Sequence, residues 1–369
     1  MAGAPDPVSA ITPARREVEV LVIGVGPGGG AAARCAAAEG ATVLAVDRKA
    51  RIGEPVQCAE FIPRPLGRCA QDEDVLQQAV TGMNSYLPSG AVEHSPLPGL
   101  MVDRAAFDRA LARGAQKAGA EMRTGTRLHG LDTIARVAQL ESVDGSRIDV
   151  AYRALVAADG PHSPVARLAG LPALAVVHTR QYTVRLLQPY ADTDIWLSDD
   201  FPGGYGWLFP KRSLANIGLG ADPKFEGDLK VPLDRLHRHL VGSGLVGDEI
   251  LSRTGGAIPV GGLRARLVHH SVLFVGDAAG LTHPITGAGI AAAVESGEAA
   301  GRAAARFART GEAAVLDGYD EEMRELYGVA LDRAAARRRE LERHWHTPAA
   351  GEDRTMRRGW IAFPEYFAA

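Results

Sequence analysis

The chain has 369 residues and a formal net charge of −3, from 41 Lys plus Arg against 44 Asp plus Glu. That balance excludes a nucleic-acid surface built on bulk positive charge. An apolar fraction of 46% with 43 glycines excludes a disordered or fibrous chain, and the length fits about two domains rich in tight turns. The three cysteines, Cys35, Cys58 and Cys69, form no Cys-x-x-Cys pair, so neither a disulfide framework nor a metal site is expected. Residues 1–16 are rich in Ala and Pro, lack the apolar core of a signal peptide, and read as a mobile tail. No run reaches the roughly 18 apolar residues of a membrane span, so a cytoplasmic place is expected, with contact at a membrane surface left open.

From Val18 to Ile23 the residues are nearly all aliphatic or β-branched, which predicts a buried parallel strand. Gly24-Val-Gly26-Pro-Gly28-Gly29 follows at once, with the spacing G-x-G-x-x-G, and a helix of small residues from Gly30 to Glu39 leads to a second strand at Ala41 to Val46. In this βαβ setting each glycine has its own reason. Gly24 permits the tight turn, Gly26 removes a Cβ that would block a pyrophosphate, and Gly29 lets helix and strand pack closely. Asp47 ends the second strand where a carboxylate can accept from a ribose hydroxyl, with Arg48 beside it as a further cofactor-binding candidate. Dinucleotide binding is the expectation.

Further along, Cys58 and Glu60 lie in the segment Ile52 to Glu60, where a buried Glu60 would be a candidate proton donor. Val102-Asp103-Arg104 opens a helix, and a strand from Ala154 to Ala158 runs into Asp159-Gly160. Residues 170 to 262 carry short apolar runs separated by Gly, Pro and Asp, which read as an antiparallel sheet and the floor of a substrate pocket. Within it, Tyr205, Trp207 and Phe209 alternate, so a regular strand projects all three rings to one face. That face is either a wall for a polyene, prenyl chain or aromatic ring, or plain core packing. A strand at Ser271 to Val275 then meets Gly276-Asp277, where the aspartate can bond a ribityl hydroxyl. The turn through Pro284, Gly287, Ala288 and Gly289 feeds a long helix whose positive end faces whatever lies in front. Arg333, Arg337, Arg338, Arg339 and Arg343 crowd the last long helix, ahead of an aromatic tail containing Trp360, Phe363, Tyr366 and Phe367. That tail reads as a cover over the pocket, a docking strip or a structural anchor.

The stations at Gly24, at Asp159 and at Gly276-Asp277 recur in this order in the p-hydroxybenzoate hydroxylase-type flavoprotein superfamily, which the chain resembles over most of residues 18 to 305. The segment Pro202-Gly-Gly-Tyr205-Gly-Trp207-Leu-Phe209-Pro210 is similar to the P-x-x-Y-x-W-x-F-P signature of geranylgeranyl reductases, and it departs from the W-x-W-x-I-P of flavin-dependent halogenases at Tyr205 and Phe209. The resemblance implies FAD as cofactor, with Arg104 reaching its phosphates and Cys58 lying near the flavin as a packed thiol, a proton relay or a redox-sensitive site. It implies an α/β fold: a Rossmann-type FAD-binding domain from residues 17–169 with 263–310, an inserted antiparallel-sheet substrate domain at 170–262, and a C-terminal helix and aromatic tail at 311–369. The activity implied is reduction of isoprenoid C=C bonds by hydride from reduced FAD. The alternative is an FAD-dependent monooxygenase hydroxylating an aromatic substrate, including a protein tryptophan during quinone-cofactor maturation. No second glycine motif for NAD(P)H occurs, so the electrons are expected from an external donor: NAD(P)H bound in passing, a ferredoxin or a flavin reductase.

Overall fold

The structure, a computed structural model, describes residues 14–225 and 227–368. Most of the expected tail, residues 1–13, lies outside the described residues. Its last residues do not belong to a tail: the first strand is Ala14–Ile23, in which Arg15 and Arg16 stand opposite Asp149 and Val150. Main-chain pairing needs no apolar side chains, and the neighbouring strand Arg147–Ala157 is long enough to recruit them. The Arg16 guanidinium then closes on Glu121.

An eight-stranded sheet is built around this first strand. Its parallel core runs Val272–Phe274, Arg147–Ala157, Ala14–Ile23, Val43–Val46, Glu121–Arg123. An antiparallel pair, Thr126–Asp132 with Val137–Ser142, is added along Arg147–Ala157, and the two-residue strand Val268–His269 pairs antiparallel with Val272–Phe274 at the edge. The helices Pro27–Ala38 and Ile290–Thr310 pack against each other at very close range. A Cβ on Gly297 would stand 2.1 Å from the Gly28 carbonyl oxygen, and one on Gly301 would stand 2.3 Å from that of Ala32. This contact explains why Pro27–Ala38 is written almost wholly in Ala and Gly and why Ile290–Thr310 places glycine at Gly297 and Gly301: the backbones touch where side chains normally would.

A second, seven-stranded sheet runs in the order Val246–Pro259, Val176–Leu186, Leu214–Ala221, Gly206–Lys211, Thr193–Trp196, Met83–Tyr86, Val92–Ser95. Its neighbours are antiparallel except Thr193–Trp196 with Met83–Tyr86, which run parallel. Two of its strands therefore come from residues 83–95, outside the 170–262 segment read as the sheet domain. One face packs under the helix Lys230–Gly242 through Tyr182, Leu208, Ile217, Leu233 and Leu236. The opposite face carries Ile195 and Trp207 into a separate apolar cluster with Trp345, Met356, Trp360 and Phe363 of the C-terminal region. A small sheet of Phe61–Pro63, Gly99–Val102 and Leu76–Val80 packs against the helices Pro27–Ala38 and Ile290–Thr310 on one side and touches the strand Gly206–Lys211 of the seven-stranded sheet on the other. Among the described residues no helix is long and apolar enough to cross a membrane.

Candidate cofactor and substrate site

The glycines of the first turn separate into two kinds. Gly24 has φ +95° and Gly29 sits where a Cβ would lie 1.8 Å from the Gly24 carbonyl oxygen, so the protein itself requires both. Gly26 is different. It caps the helix Pro27–Ala38 in an extended conformation that any residue adopts, and a Cβ there would meet nothing within 4 Å. Glycine at this position leaves room in front of the first free N–H groups of the helix, where the dipole favours phosphate. Asp47 closes the turn from the side: its Oδ2 accepts from Val25 N at 2.8 Å and its Oδ1 from Lys49 N at 2.8 Å. Each oxygen keeps a second lone pair for a hydroxyl donor. Arg48 is exposed beside it. An open cradle, a helix start and an anchored carboxylate fit the phosphates and ribose of a dinucleotide.

The second half of the cradle comes from the loop before the helix Ile290–Thr310. Gly276 has φ +53°, and Asp277 accepts from Thr282 Oγ1 at 2.6 Å. Burial pushes the Asp277 carboxyl up, against the pull of Thr282 and of Arg104. A Cβ on Gly289 would stand 2.8 Å from Thr282 Oγ1 and 3.3 Å from Asp277 Oδ1, so the helix start, the hydroxyl and the carboxyl converge. The loop is closed by His283 N to Ala288 O at 3.0 Å and Gly287 N to His283 O at 2.9 Å, with Gly287 at φ +69°. Pro284 is buried within it. Asp159 takes a local duty: its oxygens accept from Ser163 Oγ at 2.7 Å and Val165 N at 2.8 Å, and burial pushes its carboxyl up to about 6.

His283 holds this loop with an unprotonated ring nitrogen, its Nδ1 accepting from Thr286 N at 3.2 Å, and burial pushes the imidazole down to about 4. The folded protein thus binds fewer protons here than the unfolded chain between pH 4 and about 6.5. The stability contributed is complete above about pH 6.5 and is lost as pH falls toward 4. We expect the stability advantage of the parent over His283→Asn to be constant at neutral pH and to shrink by at most about 3 kcal/mol on acidification to pH 4. Urea unfolding of both proteins across that range checks it, and a difference independent of pH would contradict it.

Between the two sheets runs the segment 54–60, hydrogen-bonded along its length to the seven-stranded sheet. Val56 O accepts from Thr254 Oγ1 at 2.7 Å, Gln57 Nε2 donates to Gly255 O at 2.7 Å, and Cys58 O accepts from Gln181 Nε2 at 3.1 Å. Glu60 ends it, 4% exposed and at φ +73°. Its carboxylate accepts from Lys211 Nζ at 2.9 Å on both oxygens, from Asn216 Nδ2 at 2.8 Å and from Arg104 N at 2.9 Å. Four hydrogen bonds use the lone pairs of both oxygens, and an ammonium group is among the donors. Sequence reading gave Glu60 as a candidate proton donor; in the structure both of its carboxyl oxygens accept from these donors and anchor the segment. Arg104, which the resemblance places at the FAD phosphates, stands beside this segment. Its guanidinium forms a two-pronged pair with Asp108, Nε to Oδ1 at 2.8 Å and Nη2 to Oδ2 at 3.3 Å, and lies beside the Cys58 sulfur. Burial pushes the Cys58 thiol up, opposed chiefly by the Arg104 charge.

Tyr205, Trp207 and Phe209 join one apolar cluster. The Tyr205 hydroxyl donates to Thr286 O at 2.5 Å, tying the ring to the loop that contains Pro284. Trp207 Nε1 donates to Gln181 Oε1 at 3.2 Å, so Gln181 links the indole to the Cys58 carbonyl. A Cβ on Gly218 would stand 2.3 Å from the Trp207 ring, so that glycine makes the space for it. Phe209 packs on Phe61 at 5.9 Å, and Trp360 of the aromatic tail packs edge-on against Tyr205 at 4.9 Å. The tail is therefore folded back on this face. Gln181, Lys211 and Asn216 escaped sequence reading, although Asn216 carried a signal: it is an amide inside the otherwise apolar strand Leu214–Ala221.

Comparisons with known proteins add the following. The sequence model of the family described as FAD dependent oxidoreductase matches residues 79–242, and that of Lycopene cyclase protein matches residues 229–358. The digeranylgeranylglycerophospholipid reductase of Methanocella arvoryzae is 34% identical over 345 residues, covering 86% of each chain. That of Methanosarcina acetivorans is 33% identical over 336 residues, covering 85% of this chain and 82% of the relative. The crystal structure of a geranylgeranyl bacteriochlorophyll reductase-like protein from Thermoplasma acidophilum superposes with a TM-score of 0.82 at 28% identity, covering 89% of this chain and 88% of that one. A flavin-dependent halogenase superposes with a TM-score of 0.71 at 18% identity, a likeness of fold alone.

Proposed function

Because the chain belongs to the family of FAD-dependent geranylgeranyl and digeranylgeranylglycerophospholipid reductases, we propose that it reduces the C=C bonds of an isoprenoid lipid. The observation that carries this reading is the aromatic face of the second sheet, where Tyr205, Trp207 and Phe209 share one apolar cluster and Tyr205 is bonded to the loop before the helix Ile290–Thr310. When bound and reduced, FAD supplies a hydride, and a proton must come from another group. Gly24, Gly26, Gly29, Asp47 and Arg48 would hold its adenosine and pyrophosphate end, and Asp159, Gly276, Asp277, Pro284, Gly287, Ala288 and Gly289 its ribityl and ring end. Arg104, with two of its five N–H groups on Asp108, retains donors for a phosphate oxygen.

The rings of Tyr205, Trp207 and Phe209 hold the alkene and keep water away from it. Cys58 is the proton source in this reading. Burial keeps its sulfur protonated at neutral pH, and the adjacent Arg104 guanidinium stabilises the charge left when the proton departs. Glu60, clamped by Lys211 and Asn216, fixes the segment that presents Cys58. An external donor returns the electrons. Incubating the reduced holoprotein with digeranylgeranylglyceryl phosphate without oxygen tests the proposal: the lipid should gain two hydrogens per double bond consumed. Recovery of the lipid at unchanged mass would overturn it.

A further inference from the structure

Four strands of the seven-stranded sheet set one row of residues opposite one another: Trp207 pairs with Gly218, Gly218 with Gln181, and Gln181 with Thr254. Residues opposite one another in antiparallel strands share a face, and residues two positions along share it too. The next row on this face is therefore Phe209, Asn216, Thr183 and Ser252. The Trp207 ring lies over the place where Gly218 has no side chain, which lets the indole reach past the intervening strand to Gln181.

Both rows end on the segment 54–60. Thr254 Oγ1 donates to Val56 O at 2.7 Å, Gln181 Nε2 to Cys58 O at 3.1 Å, and Asn216 Nδ2 to Glu60 Oε2 at 2.8 Å. Thr254 and Asn216 hold the two ends, and Thr183 Oγ1 steadies Asn216 by donating to its Oδ1 at 2.9 Å. Gln181 holds the middle and does something further with its second amide atom: Oε1 accepts from Trp207 Nε1 at 3.2 Å. The partners fix which way this buried amide points, because an indole N–H only donates and a peptide carbonyl only accepts. Within the segment, Glu60 N donates to the Cys58 sulfur at 3.2 Å, so the carbonyl and the thiol of Cys58 are both held.

We propose that Gln181 is a positioning residue for the reduction, setting the Cys58 thiol at a fixed distance from the indole of Trp207 and so from an alkene held on the aromatic face. It acts through its two partners and needs no contact with the lipid. The assignment rests on the isoprenoid reading above, in which Cys58 supplies the proton. Displacing reacting groups by about 1 Å slows a reaction by up to about a hundredfold while leaving the binding surface in place. Loss of the link is thus expected in the rate at saturating lipid and not in the concentration that half-saturates.

The test is a double-mutant cycle read by mixing chemically reduced holoprotein with a geranylgeranyl lipid without oxygen and following the flavin spectrum. Gln181→Met keeps the length of the side chain and removes both hydrogen bonds. It should slow flavin reoxidation at saturating lipid about tenfold or more and move the half-saturating concentration by less than about twofold. Trp207→Phe keeps a ring and cuts the same link from the other end, and it too should lower the saturating rate. In the Trp207→Phe background, Gln181→Met should cost less than about threefold, because the link is already broken. A parent-like saturating rate in Gln181→Met would overturn the proposal and leave the reductase reading standing. A parent-like saturating rate in Trp207→Phe would do the same even if Gln181→Met gave no folded protein. So would full additivity of the two substitutions, since the residues would then act separately. A parent whose reduced flavin is not reoxidised by lipid would overturn the reductase reading and this role with it.

Discussion

Gly26→Val is expected to give a folded chain that holds no FAD. The backbone at Gly26 is extended and a Cβ there meets nothing within 4 Å, so the protein tolerates a side chain. The loss of a favoured helix-capping residue costs about 1 kcal/mol at most. With FAD placed as proposed, the space that valine fills is the space its pyrophosphate needs. Gly29→Ala is the contrasting case, since its Cβ would stand 1.8 Å from the Gly24 carbonyl oxygen and force the helix off the first strand. The expected pair of results is therefore an apoprotein of near-normal thermal midpoint for Gly26→Val and a failure to fold for Gly29→Ala. Flavin absorbance per mole of purified chain, read beside the unfolding curve of the apo forms, checks both. Full FAD occupancy in Gly26→Val would show that the pyrophosphate does not pass there.

Arg338→Met is expected to cost about 3–5 kcal/mol, a large share of the about 5–15 kcal/mol that holds a typical domain together. Arg338 is 6% exposed and Asp222 is 3% exposed. The guanidinium donates to Asp222 Oδ2 at 2.9 Å and to Gly203 O at 2.7 Å, and its Nη1 reaches Pro284 O at 3.5 Å. One side chain thus ties the long C-terminal helix to the start of the aromatic segment and to the loop preceding the helix Ile290–Thr310. Removing it strands a buried carboxylate, and that penalty exceeds the net worth of the pair. Adding Asp222→Asn should recover a good part of the loss, because the unpaired charge is gone. Urea midpoints of the single and double variants measure this. A cost below about 1 kcal/mol for Arg338→Met would contradict the burial of the pair.

What the sequence disclosed depended on how local the determinant was. The glycine turn, the small-residue helices and the alternation of Tyr205, Trp207 and Phe209 are patterns within a few residues, and each has its counterpart in the structure. The strand Met83–Tyr86 was not legible, because it is short and half polar and its partner Thr193–Trp196 lies about a hundred residues away. The early start of the first strand was hidden for a related reason: Arg15 and Arg16 join the sheet by main-chain pairing with residues far downstream. The anchor at Glu60 required knowing that Lys211 and Asn216 arrive from two strands of the other sheet. Without them a buried glutamate reads only as a proton donor, and with them both of its oxygens are seen to accept hydrogen bonds. Arg338 sat unremarked among five arginines of one helix until the fold placed Asp222 and Gly203 against it.

The most direct test of the central claim is anaerobic stopped-flow mixing of the chemically reduced holoprotein with a geranylgeranyl lipid while the flavin spectrum is recorded. Reduction of isoprenoid double bonds predicts that the oxidised spectrum returns without oxygen, at a rate that rises with lipid concentration and saturates. A flavin that stays reduced in the presence of lipid and reoxidises only when oxygen is admitted would contradict it.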